Sequence, residues 1–382
     1  MVLAGPGSGK TLTIAKRIEY LITEYKVRPE EILVITFTKY AANEMKDRFC
    51  QVMGNVRMPV TFGTFHGIYY GILKWAYRLN QGNLLTDMER EALLRQTAGQ
   101  LEWELTGESG DEREALKELA AEVGNVKNNC LDIEAYESKR YKTSLFRELY
   151  RLYESEKKKL KKIDFEDMLI LCRELFLKRP DILKKWQEKF RYILVDEFQD
   201  VNQAQYDVVR LLAKPKGNLF VVGDDDQSIY SWRGADIQNI LDFEKDYPDA
   251  RVVKLQQNYR SAGHILAAAN AVIANNQHRK AKRLFTASED GDKIEVYLAA
   301  DERDEGRWIA GEIERRRAEG LSYDDMAVFY RTNAQSRMLE DMLLRAGVPY
   351  RIVGGTRFFD RAEIRDVMAY LKLVLNPADD VS

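Results

Sequence analysis

The stretch Ala4-Gly5-Pro6-Gly7-Ser8-Gly9-Lys10-Thr11 decides the fold of this 382-residue chain. It fits the phosphate-binding loop (P-loop) pattern G-x-x-x-x-G-K-[ST], with alanine in place of the first glycine. Small residues let successive backbone N–H groups approach and cradle phosphate oxygens. We expect Lys10 to reach the β- and γ-phosphates of ATP and the Thr11 hydroxyl to ligate Mg²⁺. The helix predicted at 12–21 directs its positive N-terminal end at the same anion.

Apolar runs rich in valine and isoleucine recur along the chain and predict buried strands. Helix-like periodicity separates these runs, as at 204–212 and 364–375. Strands that alternate with helices predict an α/β architecture with parallel sheets. The predicted strands are 32–37, 192–195, 219–222 and 326–330. Ahead of the P-loop, Met1-Val2-Leu3-Ala4 leaves room for about three residues of a further strand.

The length predicts two or three domains, at roughly 150 residues per domain. Residues 72–162 are charged, lack runs of β-forming residues and have helix-like spacing at 115–126 and 146–160. This pattern predicts an all-helical insertion within the first α/β domain. The predicted domains are therefore 1–71 with 163–251, the insertion at 72–162, and a second, incomplete α/β domain at 252–382.

The composition excludes several classes of protein. With 59 basic and 61 acidic residues the formal net charge is −2, which argues against a protein that coats polyanions through bulk charge but allows nucleic acid in a local channel. No apolar run is long enough to span a bilayer, so no membrane partner is expected. Cys50, Cys130 and Cys172 are too far apart for a disulfide framework, and the three scattered histidines argue against a zinc site. These features predict a reducing, cytoplasmic compartment.

The densest basic patch is Glu156-Lys157-Lys158-Lys159-Leu160-Lys161-Lys162. It is either a solvated helix face, in which the lysines face water, or a surface that contacts phosphates. The solvated face is the favoured interpretation, and both stay open.

Two carboxylates follow the predicted strand at 192–195. Asp196 and Glu197 lie at the carboxyl end of that strand, where ligands bind in parallel α/β sheets. We expect Asp196 to hold Mg²⁺, directly or through water, and Glu197 to polarise the attacking water as a general base. An acidic strand end without chemistry is the alternative, and the pairing with the P-loop disfavours it.

The segments that follow this strand carry a family resemblance. Asp196-Glu197-Phe198-Gln199-Asp200 and Val222-Gly223-Asp224-Asp225-Asp226-Gln227-Ser228-Ile229-Tyr230-Ser231-Trp232-Arg233-Gly234-Ala235 are similar to motifs II and III of the UvrD/Rep/PcrA family of superfamily 1 DNA helicases. The resemblance continues in family order through motifs Ia, Ib and IV and into the segment before the family's second insertion. These further segments are 35–42, 64–67, 257–261, 330–337 and 354–359, so the resemblance covers essentially the whole chain.

The resemblance implies two RecA-like domains that clamp ATP between them, with single-stranded DNA running across both. ATP closes the cleft, hydrolysis opens it, and the alternation moves the strand, typically 3′ to 5′, and unwinds duplex DNA. The implied cofactors are ATP and Mg²⁺, and the implied partners are single-stranded DNA and junctions of single- and double-stranded DNA. As a fragment, the chain is expected to be a monomer.

The resemblance also assigns roles around ATP. Gln227 is implied to sense the γ-phosphate, and Arg260 to act across the cleft as an arginine finger on the transition-state charge. Tyr259 is implied to stack on adenine, with an apolar contact from Leu12 where family members commonly carry arginine. A surface arginine and a core tyrosine are the alternatives for Arg260 and Tyr259.

Aromatic residues interleaved with basic and hydroxyl residues follow the predicted strand ends. Stacking of bases on aromatic rings contributes about 1–3 kcal/mol per base and tolerates any base sequence, as a translocating motor requires. Core packing is the alternative for Phe37 and Phe65, and a weaker one for Trp232 on its polar loop. The predicted DNA-binding residues are Phe37, Thr38, Phe65, His66, Tyr230, Trp232 and Arg233.

The chain departs from the family pattern at both ends. It begins after the position of the adenine-recognising glutamine that precedes the P-loop, and it ends before motifs V and VI. We therefore expect the N-terminal portion of a longer UvrD-type helicase. Two alternatives stay open: a module that binds ATP and single-stranded DNA without productive turnover, and the helicase module of a RecB-like nuclease complex.

Overall fold

A computed structural model describes residues 1–105, 112–214, 216–231, 234–332, 334–353 and 362–375. The chain divides into two compact units, Met1–Lys293 and Ile294–Ser382. The strands of the first unit are β1 Val2–Ala4, β2 Ile32–Thr36, β3 Thr61–Thr64, β4 Tyr192–Val195, β5 Leu219–Gly223 and β6 Val253–Leu255. They form one six-stranded, all-parallel sheet in the order β3-β2-β4-β5-β1-β6.

Burial on both faces explains the apolar composition of the central strands. All five residues of β2 are buried, and Val34 pairs with Leu194 of β4. β1 lies between β5 and β6, with Val2 opposite both Val222 and Val253. Because all strands are parallel, their carboxyl ends meet at one edge of the sheet, which we call the carboxyl edge. The predicted α/β architecture with a parallel sheet is confirmed.

Three of the four longer predicted strands are confirmed, as β2, β4 and β5. The prediction at 326–330 is wrong, because this segment pairs with no strand in the described part of the chain, and Phe329 is 93% exposed. An apolar run becomes a strand only where a neighbouring strand satisfies its backbone groups. Two strands were not predicted: β3 contains a glycine between threonines, and β6 has only three residues with Lys254 at its centre.

β6 brings residues that the sequence assigned to the second domain into the first unit. The predicted second domain begins at 252, but β6 pairs with β1. The Asn258 side-chain amide then donates a hydrogen bond to the Pro6 carbonyl at 2.7 Å. The first unit consequently runs to Lys293. All the predicted domain boundaries, including the one at 252, stay predictions.

Helices connect the strands of the first unit and occur in the second unit as well. In the first unit they are α1 Lys10–Thr23, α2 Lys39–Val52, α3 Phe65–Tyr77, α4 Asp87–Gln100, α5 Glu112–Asn128, α6 Thr143–Lys159, α7 Asp167–Lys178, α8 Pro180–Lys189, α9 Gln203–Ala213, α10 Gln238–Leu241, α11 Phe243–Asp246 and α12 Gly263–Ile273. In the second they are α13 Glu302–Ala318, α14 Ser336–Arg345 and α15 Ala362–Leu375. The helices predicted at 12–21, 204–212 and 364–375 are confirmed as parts of α1, α9 and α15. No helix in the described ranges is long and apolar enough to cross a bilayer.

The helices α4, α5 and α6 pack around a hydrophobic core of their own. Leu116 and Phe146 are fully buried there, apart from the sheet. The helices predicted at 115–126 and 146–160 are confirmed as α5 and α6. Across the described residues of 72–162 the chain forms helices and no strand, as the sequence predicted.

A buried ion cluster fixes α5 and α6 to the start of α7. The Lys127 ammonium lies 2.6 Å from Asp164 and 2.7 Å from Asp167, and the Lys157 ammonium lies 2.7 Å from Asp164. Burial opposes ionisation, but these two ammonium groups hold the pKa of Asp164 well below its usual value. Lys157 is therefore neither solvated nor available to phosphates, so both interpretations of the basic patch are wrong for this residue. The adjacent Lys158 is exposed.

The second unit has a small core of its own. α13 packs on α14, and Ala310, Leu343 and Val348 are buried between the elements of this unit. Tyr297 stacks on Trp308 with ring centroids 4.9 Å apart. The predicted site residues that the structure describes belong to the first unit, at or near the carboxyl edge of the sheet.

Candidate functional site

The P-loop connects β1 at the carboxyl edge to the first turn of α1. Gly7 and Gly9 adopt left-handed backbone angles, with φ of 67° and 87°. A Cβ atom at Gly7 would come within 2.7 Å of Asn258 and Arg260, so only glycine fits there. Gly9 is the N-cap of α1 and offers no side chain to its first turn. No side chain of the N-cap residue therefore occupies the N-terminal end of α1, and binding of an anion there stays a prediction.

Glu197 joins the P-loop to the end of β4. Its backbone is left-handed, with φ of 48°, which is costly for a residue other than glycine. Its carboxylate accepts a hydrogen bond from the Lys10 ammonium at 2.9 Å. The structure thus brings together two residues that are 187 positions apart in the sequence.

Asp196, the neighbour of Glu197, is buried, and one of its carboxylate oxygens has no hydrogen-bond partner among the described residues. Burial, reinforced by Glu197, raises the pKa of Asp196 to about 6. Burial and Glu197 thus disfavour the ionised form of Asp196, and a bound cation would favour that form. The donor set of Asp196 and the Thr11 hydroxyl, both oxygen ligands, therefore fits Mg²⁺.

Gln227 lies in the turn after β5, at the same edge. Its side-chain amide donates to Asp224 at 2.6 Å. Asp224 and Asp226 each lie 2.8 Å from the ammonium of Lys282, whose side chain is only 1% exposed. Arg279 adds a bidentate contact to Asp226. The acidic part of motif III is thus neutralised by the segment 279–282, a partner that the sequence analysis did not identify.

Tyr259 and Arg260 lie beside the P-loop in the first unit. The Tyr259 backbone N–H donates to the Gly7 carbonyl at 2.9 Å, and the Tyr259 ring is 69% exposed, so the core alternative for it is wrong. Arg260 was predicted to act across a cleft from the second domain, but it belongs to the same compact unit as the P-loop. Leu12 is 45% exposed on the first turn of α1. An exposed ring and an exposed apolar side chain therefore lie on two elements that contact the P-loop.

A cavity of about 710 Å³, which we call the edge cavity, lies between the carboxyl edge and helices α5 and α7. Phe37 and Tyr230 stack beside it with ring centroids 5.4 Å apart. His66 stacks on Phe165 at 3.7 Å, and Phe165 is 55% exposed. The residues that line the cavity include Phe37, Thr38, Lys39, Phe65, His66, Asn125, Asn128, Phe165, Asp200, Gln205 and Gly234.

The predicted DNA-binding residues differ in their surroundings. Burial lowers the pKa of His66 to about 4, so its ring is neutral at pH 7 and acts as an aromatic surface. Thr38 caps α2 by accepting a hydrogen bond from the Ala41 backbone at 3.1 Å. Phe65 is only 2% exposed and belongs to the main core, so its placement fits the packing alternative. The predicted residues Trp232 and Arg233 lie outside the described residues.

Three further residues at this edge were not among the predicted site residues. Phe165 lies between Asp164 and Glu166 on a polar turn, the pattern that singled out Trp232, so the same reasoning could have found it. Gln199 and Asp200 are buried polar residues within motif II, and nothing in their local sequence distinguishes them from solvent-facing residues. Their positions depend on contacts between distant strand ends.

Comparisons with known proteins identify the family to which the chain belongs. A model of the UvrD/REP helicase N-terminal domain matches residues 1–248, and a model of the UvrD-like helicase C-terminal domain matches residues 253–382. ATP-dependent DNA helicase PcrA from Staphylococcus aureus (strain NCTC 8325 / PS 47) is 41% identical over 390 residues, and PcrA from Staphylococcus epidermidis (strain ATCC 12228 / FDA PCI 1200) is 41% identical over 389. Each alignment covers 100% of this chain and 52% of the relative, so the chain spans about half the length of these relatives. The chain belongs to the UvrD/REP helicase family, whose fold is built on RecA-like domains.

Proposed function

We propose that this chain is the ATP- and DNA-binding portion of an ATP-dependent DNA helicase. The whole protein would couple ATP hydrolysis to movement along single-stranded DNA, 3′ to 5′, and to unwinding of duplex DNA. The relatives' printed name, ATP-dependent DNA helicase, supports this activity. One observation carries the proposal: a single sheet edge holds the P-loop, the Lys10–Glu197 pair and two stacked aromatic pairs beside a cavity.

The nucleotide half of the proposal rests on residues of the P-loop and of the ends of β4 and β5. The small residues from Ala4 to Gly9 and the first turn of α1 would hold the phosphates of ATP, and Lys10 would turn from Glu197 toward their charge. Thr11 and Asp196 would hold Mg²⁺, which stabilises phosphate charge when bound. Glu197 would then accept the proton of the attacking water. Gln227 would sense the γ-phosphate from the end of β5.

Three residues near the P-loop complete the proposed ATP site. Tyr259 would stack on the adenine ring, and Leu12 would give it an apolar contact. Arg260 would stabilise the charge that develops during phosphoryl transfer. The exposure of Tyr259 and Leu12 and the contact of motif IV with Gly7 support these roles.

The DNA half rests on the aromatic pairs at the edge cavity. Phe37 with Tyr230, and His66 with Phe165, offer ring surfaces to bases, and Thr38 would add a contact beside Phe37. Trp232 and Arg233, predicted from the sequence alone, would add further contacts to the strand. Because base stacking requires no particular base, this surface suits single-stranded DNA and junctions with duplex DNA. The local ring surfaces also explain how a chain with a net charge of −2 can hold DNA. We further propose that the fragment is a monomer and works in the cytoplasm, in keeping with its three free cysteines.

Replacement of Lys10 with alanine tests the nucleotide half. We expect ATP turnover by the wild-type chain to require single-stranded DNA and to fall about 10²- to 10³-fold in the variant, the usual loss when one fixed donor to reacting charge is removed. The measurement is steady-state release of phosphate with and without an oligonucleotide. Lys16→Ala on the exposed side of α1 is the matched control and should hydrolyse ATP normally.

The same experiment separates the proposal from a binding module without productive turnover. The chain spans about half the length of its relatives, which favours this second candidate for the isolated chain. Binding of ATP and single-stranded DNA with no phosphate release would support the binding module. Turnover that Lys10→Ala leaves unchanged would contradict the proposed ATP site.

A further inference from the structure

Gln199 occupies the turn between β4 and α9 and is only 1% exposed. Its amide nitrogen donates to the Glu197 carboxylate at 2.9 Å and to the Asp200 carboxylate at 3.2 Å. Its amide oxygen accepts a hydrogen bond from the Asp224 backbone N–H at 2.9 Å. All three contacts assign the same orientation of the amide, because only the nitrogen can donate to carboxylates and only the oxygen can accept from an N–H group.

Tight packing holds this amide in place. A Cβ atom at Gly223 would come within 2.8 Å of the Gln199 amide oxygen and 3.2 Å of its backbone nitrogen, so the end of β5 presses directly on the side chain. A side chain that is both buried and hydrogen-bonded at both ends of its amide has one available position. Gln199 thus links the ends of β4 and β5.

The residues that Gln199 contacts also belong to the turn that carries Gln227 and to the wall of the edge cavity. The Asp224 backbone N–H donates to Gln199, and the Asp224 carboxylate accepts a hydrogen bond from the side-chain amide of Gln227. Asp200 lines the edge cavity and has one carboxylate oxygen without a hydrogen-bond partner among the described residues. Burial, with a contribution from Glu197, raises the pKa of Asp200 to about 7. One amide therefore touches the proposed general base, the strand end that carries the γ-phosphate sensor, and the wall of the cavity.

We propose that Gln199 is a positioning residue that holds the Glu197 carboxylate in its reactive place and ties it to the end of β5. The Lys10 ammonium contacts the same Glu197 oxygen and would move to phosphate when ATP binds, so Gln199 is the contact that keeps this carboxylate fixed at that stage. The proposal rests on the proposed role of Glu197. It adds a residue that acts through Glu197 and touches neither ATP nor DNA.

Replacement of Gln199 with glutamate or methionine tests this role. Glutamate keeps an oxygen for the Asp224 N–H but loses both donated hydrogen bonds, and methionine keeps the length of the side chain and loses all three contacts. We expect both variants to lower the rate constant of single-turnover ATP hydrolysis about 10- to 100-fold, the cost of a misplaced reacting group. The dissociation constant for a non-hydrolysable ATP analogue should stay within about twofold, because the side-chain hydrogen bonds of Gln199 in the described part of the chain go to Glu197, Asp200 and Asp224 and not to the P-loop.

Two further variants separate the possible outcomes. Asp200→Asn keeps an acceptor for the Gln199 amide. Because Asp200 lines the edge cavity, the rate of this variant is measured with saturating single-stranded DNA, and there it should fall less than in the Gln199 variants. In the Glu197→Gln background, either substitution of Gln199 should lower the rate constant of single-turnover hydrolysis by less than a further factor of about two, because Gln199 acts through Glu197.

Full turnover in Glu197→Gln would overturn the proposed base, whatever Gln199 does. A slow Glu197→Gln variant combined with normal Gln199 variants would overturn the present inference alone. A loss in Asp200→Asn as large as that in the Gln199 variants would show that the contact acts through Asp200. Loss of analogue binding in both Gln199 variants would show a structural role, and that result also overturns the inference.

Discussion

Glutamine in place of Glu197 is expected to lower ATP turnover about 10²- to 10⁴-fold, the range that a positioned general base contributes. Glutamine has the same length and can still accept the hydrogen bonds from Lys10 and Gln199, so the arrangement of the site should survive. It cannot accept a proton from water at neutral pH. The loss should therefore appear in the chemical step, while ATP and single-stranded DNA bind with nearly unchanged affinity.

Single-turnover hydrolysis with excess protein measures this chemical step directly. Glu44→Gln is a suitable control, because Glu44 is an exposed carboxylate on α2 whose charge raises the pKa of Asp196 without contacting Lys10. The control should hydrolyse ATP at close to the wild-type rate. Hydrolysis at the wild-type rate by Glu197→Gln would mean that another group takes the proton.

Methionine in place of Lys127 is expected to lower the free energy of unfolding by about 3–5 kcal/mol, the usual cost of removing one partner from a buried ion pair. Among the described residues, the substitution leaves the Asp164 and Asp167 carboxylates with the Lys157 ammonium as their shared ion-pair partner. The loss of unfolding free energy should be larger at neutral pH than in acid. Because the pKa of Asp164 is lower in the folded protein, its stabilising contribution is present at neutral pH and is lost as the pH falls below the ordinary value of 3.8.

Urea unfolding at pH 7 and hydrogen exchange in α5 and α6 provide the measurements for Lys127→Met. Lys158→Met is the matched control, since Lys158 is the exposed neighbour of the buried Lys157, and it should change the unfolding free energy by less than about 0.5 kcal/mol. If the two variants prove equally stable, the ion cluster does not hold α5 and α6 to the start of α7.

The features that sequence reasoning predicted are those specified by local patterns. Val/Ile-rich runs give β2, β4 and β5 because each is buried on both faces, and Gly7 is needed because its backbone is left-handed and crowded by Asn258 and Arg260. The P-loop and the carboxylates after β4 are likewise short stretches with a fixed chemical meaning. Spacing along the chain is enough to recognise such features.

The features that sequence reasoning missed depend on contacts between distant segments. Lys157 belongs to a run of lysines, yet it is 2% exposed because Asp164 and Asp167 face it from the start of α7. β6 is a strand only because β1 lies beside it. Gln199 gains its position from Asp224, on the neighbouring strand end. In each of these three cases, the structure around the residue or strand depends on a partner from a distant segment, and the local sequence does not specify that partner.

The central claim is that single-stranded DNA at the edge cavity drives ATP hydrolysis at the same sheet edge. The most direct test is steady-state ATP turnover by the wild-type chain and by Phe165→Ala, titrated with an oligonucleotide. Tyr25→Ala is the control, because Tyr25 is similarly exposed, at 62%, but lies beyond the far end of α1. We predict that Phe165→Ala raises the DNA concentration for half-maximal turnover about 5- to 150-fold, equivalent to about 1–3 kcal/mol of stacking, with maximal turnover unchanged. Identical titration curves for Phe165→Ala and the wild type, or turnover that does not respond to DNA at all, would contradict the claim.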